Sequence, residues 1–149
     1  MGLLTRYFSS APGVGIVVQV AATGWQQLPD RAPALAELIA NIHHDPQLLG
    51  DALAGTPATF IAGDWKLGNL GRHPDGRTIL LDWAYPGEAP GAWDLAWYLA
   101  INAARLPISK DDTIALYRDA LERCNVDVSG WFDRQVSLSL LGMAAAAPV

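Results

Sequence analysis

One turn constrains this chain more than any other stretch: His73-Pro74-Asp75-Gly76. Proline fixes φ, aspartate favours a turn through its own backbone, and glycine supplies the left-handed residue, so the chain must reverse here. Ile79, Leu80 and Leu81 follow the turn, and Arg77–Asp82 is expected as the returning strand. The reversal has a chemical consequence. Asn69 lies six residues before Asp75 and Asp82 seven after it, so an antiparallel hairpin delivers both to its open end within a residue or two of register. Asp64 stands just upstream, on the loop that leaves the short apolar strand Thr59-Phe60-Ile61 and enters that same end.

Elsewhere the apolar residues fall mostly at helical spacing. Leu35, Leu38, Ile39 and Ile42 predict a helix starting near Arg31, with Asp30 as its N-cap and Pro33 in its first turn. Asp45–Ala54 reads as a second, capped by Asp45 with Pro46 at the first position. Ala92–Arg105 is apolar nearly all round and is expected to be a buried central helix. Asp111–Cys124 is amphipathic, offering Ile114, Leu116, Tyr117 and Leu121 to the core, and Trp131–Met143 is the last helix. Tyr85–Gly91 holds two prolines and two glycines and reads as a loop, whereas Gly15–Val20 is β-branched enough for a strand. The expected class is α+β: a mostly helical lobe over residues 30–149 with a short β-hairpin, preceded by a separate segment over residues 1–29.

Bulk properties remove several functions. The chain has 149 residues, enough for one domain with a core, and 51% of them are apolar, too many for a disordered segment. A net charge of −5 argues against binding a nucleic-acid backbone, which needs a basic stripe. No run reaches the roughly 20 apolar residues that span a bilayer, so no membrane association is expected. The apolar stretch after Arg6 is interrupted by glycines and Gln19 and lacks a small-residue cleavage site, unlike a signal peptide. A single cysteine, Cys124, rules out an internal disulfide and reads as a small hydrophobe in a helix; a cytoplasmic setting is expected.

Two carboxylates and a carboxamide meeting beside Lys66 suit hard-oxygen coordination of Mg²⁺, which keeps waters and takes one or two carboxylates plus substrate phosphates. Phosphoryl transfer needs metal, a carboxylate for the attacking hydroxyl and a cation near the moving group, and one candidate exists for each. Asp64-x-Lys66-x-x-Asn69 resembles the catalytic loop of the protein-kinase superfamily. The longer pattern, Gly63-Asp-Trp-Lys-Leu-Gly-Asn-Leu, then Leu81-Asp-Trp, then Trp93-Asp-Leu-Ala, is similar to the aminoglycoside phosphotransferase and choline-kinase-like branch. That resemblance implies the large lobe of a small-molecule kinase. It implies ATP or GTP as donor, Mg²⁺, and a hydroxyl acceptor that is cationic in some members. Asp64 would be the base and Lys66 the contact to the moving phosphate. Asn69 and Asp82 would hold metal and nucleotide, and Asp94 would brace the loop, with Glu88 and Asp94 flanking the substrate side.

Two departures accompany the likeness. Ala62 occupies the place where the family has histidine, and no lysine precedes Lys66, since the only other is Lys110. Gly13-Val-Gly15-Ile-Val lacks the third glycine of a nucleotide loop, so the small lobe is expected to be largely missing. Two other functions fit the same residues: a non-catalytic binding module of this fold, and a metal-dependent hydrolase working on water. The remaining polar features have plainer roles. His43 and His44 suit a helix end and His73 the turn. Trp93 and Trp97 suit a core pair, and Asp111, Asp112, Glu122 and Asp127 a solvated face or an attraction for cations.

Overall fold

A computed structural model describes the backbone of residues 14–146 and the side chains of residues 23–146. The class is α+β, mostly helical with two small antiparallel sheets. In chain order come α1 (Val14–Arg31), α2 (Pro33–His44), α3 (Gln47–Ala54), β1 (Ala58–Ile61), β2 (Leu70–Arg72), β3 (Thr78–Leu80), β4 (Gly87–Pro90), α4 (Ala92–Asn102), α5 (Lys110–Arg123) and α6 (Phe132–Ala146). Two compact units result. Of the described residues, one holds those up to Gln47 together with Ala144–Ala146, the other Leu48–Met143.

In the first unit, Gly15–Val20 is helical rather than a strand. A strand needs a partner for every backbone group, and a helix satisfies its own locally, so a β-branched run without a partner goes helical. α1 continues through Pro29 to Arg31, so Asp30 lies inside it and caps nothing. α2 begins instead at Pro33, with Ala32 at the N-cap position and no side-chain cap. Ile39 and Ile42 are buried, while Leu35 and Leu38 are exposed. His43 closes the last turn of α2, its Nε2 lying 2.7 Å from the Ala145 carbonyl oxygen, and its ring tilts against Trp25.

The second unit carries the expected hairpin. The Gly76 N–H donates to the His73 carbonyl at 2.9 Å, with Gly76 at φ +92°, and Leu70, Gly71 and Arg72 pair with Leu80, Ile79 and Thr78. Tyr85–Gly91 is not all loop: Gly87–Pro90 forms β4, pairing Ile61 with Gly87 and Ala58 with Pro90. Proline is tolerated there because a two-stranded sheet has only edge strands. The sheet β1–β4 therefore fixes where the chain enters the Asp64 loop.

The core of this unit lies between α4, α5 and α6. Ala92, Leu95 and Leu99 pack with Val128, Phe132 and Val136, and Ile114, Tyr117 and Leu121 cover them. Leu116, expected in that core, is 54% exposed, because it falls on the opposite side of α5. Cys124 is exposed at the end of α5 rather than packed inside it. Gln135 ties the layers together. Its amide nitrogen donates to Thr56 Oγ1 at 3.0 Å and the Pro57 carbonyl at 2.8 Å, and its oxygen accepts from Ala92 N–H at 3.1 Å. Ser139, fully buried on the same helix, has no partner for its hydroxyl. An unpaired buried hydroxyl costs about 1–3 kcal/mol. Ser139→Ala is therefore expected to raise the urea midpoint, gaining about 1 kcal/mol, where substitution of a bonded core serine lowers it.

Candidate functional site

The site is built on one loop, residues 62–69, between β1 and β2. Gly63 turns it, at φ +77°, so close to Tyr85 that a Cβ would lie 2.1 Å from the Tyr85 carbonyl oxygen. From α4, the buried Asp94 grips the same turn. One carboxylate oxygen accepts from Ala62 N–H at 2.8 Å and the other from Gly63 N–H at 2.9 Å. Asn102, at the far end of α4, holds the loop's other shoulder, its side-chain oxygen accepting from Leu67 N–H at 3.4 Å and Arg105 at 2.8 Å.

Asp64 projects from this braced turn and is only 5% exposed. Its Oδ1 accepts from the Trp97 indole N–H at 2.8 Å. Its Oδ2 accepts from Asn69 Nδ2 at 3.0 Å and pairs with Lys66 Nζ at 2.5 Å. Asn69 Nδ2 also donates to the Asp64 carbonyl at 2.9 Å. A carboxylate held at both oxygens has one orientation available to it. Charge-assisted bonds of this kind are the stronger class.

The hairpin brings Asp82 to the same end, as the Leu81 N–H donates to the Asn69 carbonyl at 2.7 Å and Asp82 follows directly. Asp82 is exposed and sits at φ +57°, a left-handed conformation that a non-glycine residue adopts at some cost. Its carboxylate has no hydrogen bond or ion pair to any described residue. The Asn69 amide points its nitrogen at Asp64, which leaves its oxygen without a described donor. The two residues thus stand at one hairpin end, Asn69 buried and Asp82 exposed. Among the described residues no three His, Cys, Asp or Glu side chains form a metal cage. The donor set suits Mg²⁺, which takes few protein ligands, better than a metal that demands a full protein cage.

Trp97 was expected in the core and instead bonds Asp64. The signal was in the spacing: Asp94 and Trp97 are three apart, share one face of α4, and both address the loop. Asn102 had no such signal. Glu88 is the exposed residue of the otherwise half-buried β4 and lines a cleft with Thr56, Pro90 and Trp93, while Asp94 is committed to the loop backbone. His73 Nδ1 lies 2.8 Å from Asp75 Oδ1 in the turn, and Arg77 pairs with the same carboxylate. Of the acidic face, Asp112 closes a capping box with Ser109 and Asp127 accepts from Ser129 N–H, so both serve local backbone. Comparison with protein-family models, curated proteins and solved structures found no match.

Burial pushes the Asp94 pKa above its usual 3.8, the two N–H bonds pull it back partway, and the charge of Asp64 adds to the rise. The folded protein therefore holds that proton more tightly than the unfolded chain. This group's stabilising contribution is complete below pH 3.8 and fades as pH rises through the elevated value. Relative to Asp94→Asn, which does not titrate, wild type is expected to lose stability on going from about pH 4 to pH 7. Urea midpoints of the two proteins across that range check the sign.

Proposed function

We propose that this chain is the catalytic lobe of a Mg²⁺-dependent small-molecule phosphotransferase. One observation carries the reading: a buried carboxylate, Asp64, is oriented by Trp97 and Asn69 and paired with Lys66 on a loop clamped by Asp94. The kinase-like lobe assignment rests on this geometry and on the motif spacing, without a matching relative.

In this reading Asp64 orients the acceptor hydroxyl and takes its proton as the oxygen attacks the γ-phosphorus of ATP or GTP. Lys66, beside it, meets the developing negative charge. The Asn69 amide oxygen and the Asp82 carboxylate would hold Mg²⁺. When bound, that ion neutralises phosphate charge and aligns the transferring group. Asp94 fixes the turn that positions Asp64 and touches no substrate. The acidic helices favour a cationic acceptor by long-range attraction.

The test is transfer of γ-labelled phosphate from ATP or GTP, with Mg²⁺, to a panel of hydroxyl acceptors: aminoglycosides, choline, sugars and homoserine. Label on an organic acceptor, abolished by chelating the metal, supports the reading. Label released to water whatever acceptor is offered identifies a hydrolase instead.

A second reading, a non-catalytic binding module, is favoured by one specific feature. Around Asp82 an apolar surface lies open, with Phe60 67% and Trp83 50% exposed and their rings stacked 6.0 Å apart, beside exposed Leu81 and Tyr85. Contiguous exposed apolar patches mark interaction sites. Neither transfer nor hydrolysis with any acceptor would favour this module.

A further inference from the structure

The exposed aromatic face of the Leu48–Met143 unit has a defined geometry. Phe60 on β1 stands directly opposite Glu88 on β4. Directly opposed residues of an antiparallel pair share one face of the sheet, with Cβ atoms about 5 Å apart. Trp83 lies against the Phe60 ring, with centroids 6.0 Å apart and planes at 25°. Its indole N–H donates to the Leu80 carbonyl at 3.1 Å, which sets the orientation of the indole. Two nearly parallel rings therefore stand with a carboxylate at their side, and all three residues are exposed. Ala58 and Pro90, two residues along each strand, continue the same face. There it borders an open cleft of about 600 Å³, lined by Leu53 and Trp93 and shared by Glu88.

Charge decides what such a surface takes. The face of an aromatic ring attracts a cation, and a carboxylate beside it adds to the attraction. Among the described residues, no lysine or arginine pairs with Glu88 or lies over either ring. Elsewhere the molecule shows what completes this trio of groups. Arg118 lies 4.4 Å above the centroid of the Phe132 ring and pairs with the neighbouring Asp133. A guanidinium fits this arrangement better than an ammonium, because its plane stacks on a ring while its fork reaches a carboxylate. The net charge of −5 repels nucleic acid, an anionic membrane and a second copy of this chain, and favours a basic partner. A small molecule is held best in a concavity that encloses it, whereas these rings stand in the open. An extended peptide laid along the sheet reaches the rings and the cleft together.

We propose that the Phe60–Trp83–Glu88 face docks an arginine-bearing segment of a partner protein. The guanidinium stacks on the aromatic pair and pairs with the Glu88 carboxylate, and an apolar side chain beside it enters the cleft at Trp93. The proposal rests on the reading of this face as an interaction surface and is independent of phosphoryl transfer.

The experiment titrates the ¹⁵N-labelled full chain with the peptide acetyl-Leu-Ala-Arg-Ala-Leu-amide. The same peptide with citrulline in place of arginine keeps the shape and removes the charge, and a lysine version keeps the charge and removes the fork. Six indole N–H resonances are expected, and Trp83→Phe assigns the one that matters. The arginine peptide should shift the Trp83 indole and the Glu88 amide saturably and bind at least about fivefold more tightly than the citrulline peptide. The lysine peptide should fall between them. Glu88→Gln, an isosteric change at an exposed position, should cut the preference for arginine over citrulline at least twofold. Phe60→Ala, also exposed, should weaken the arginine peptide at least threefold. Equal binding of the citrulline peptide would overturn the arginine assignment while leaving the face an interaction surface. Absence of a saturable Trp83 shift, or an unchanged preference in Glu88→Gln, would overturn the proposal. So would a Trp83 shift driven by protein concentration alone, which would make a second copy the occupant.

Discussion

Asp64→Asn is expected to lower the turnover of phosphoryl transfer by about 10³-fold while leaving nucleotide affinity nearly unchanged. The substitution keeps the shape and one acceptor, so Trp97 can still donate to position 64. It removes the group that takes the proton. It also sets an amide N–H₂ against Lys66 Nζ and Asn69 Nδ2, which now approach Oδ2. Facing donors cost about 1–2 kcal/mol, small beside a typical folding stability of about 5–15 kcal/mol. Far-ultraviolet circular dichroism should therefore match wild type. A steady-state assay with whichever acceptor of that panel takes up label measures the loss, and a decrease of less than about tenfold would remove Asp64 from the role of base.

Gly63→Ala should be the most destabilising of the small substitutions in the loop. Its left-handed φ of +77° costs an L-residue about 1–2 kcal/mol, and the new methyl has nowhere to go. It would meet the Tyr85 carbonyl oxygen at 2.1 Å and the Tyr85 Cβ at 2.9 Å. Backbone cannot swing aside as a side-chain end can. The expected cost is about 3 kcal/mol or more, lowering Tm by roughly 10 °C. Gly68, five residues on in the same loop, has nothing within 4 Å and no positive φ, so Gly68→Ala should be nearly neutral. Thermal melts of the pair make the comparison. Equal tolerance at both positions would mean that the loop is not seated against Tyr85, and the placement of Asp64 would lose its support.

The elements that could be read in advance were those whose signal is local. The Pro74-Asp75-Gly76 turn dictates its hairpin through backbone preferences alone, and the apolar run of α4 dictates burial by periodicity. β4 was invisible because Gly87-Glu88-Ala89-Pro90 has no β-branched or aromatic residue. It is a strand because β1 needs a partner, a fact of tertiary structure. Gly15–Val20 went the other way for the matching reason: no partner, so helix. Within the site, spacing around one turn sufficed to bring Asn69 and Asp82 to one hairpin end. The grip of Trp97 on Asp64 and of Asn102 on Leu67 crosses from α4 to a loop more than 30 residues earlier, and no local rule encodes such contacts.

The proposed function requires that Asn69 and Asp82 present oxygens to a divalent ion beside Asp64. Mn²⁺ added with ATP to the ¹⁵N-labelled chain tests it, because the paramagnetic ion broadens nearby resonances whether or not turnover occurs. The account predicts that the Asn69 side-chain amide and the Asp82 backbone amide broaden first, at substoichiometric metal, and that Asp82→Ala abolishes the effect. Broadening centred on Asp111, Asp112 and Glu122, with Asn69 and Asp82 untouched, would contradict it.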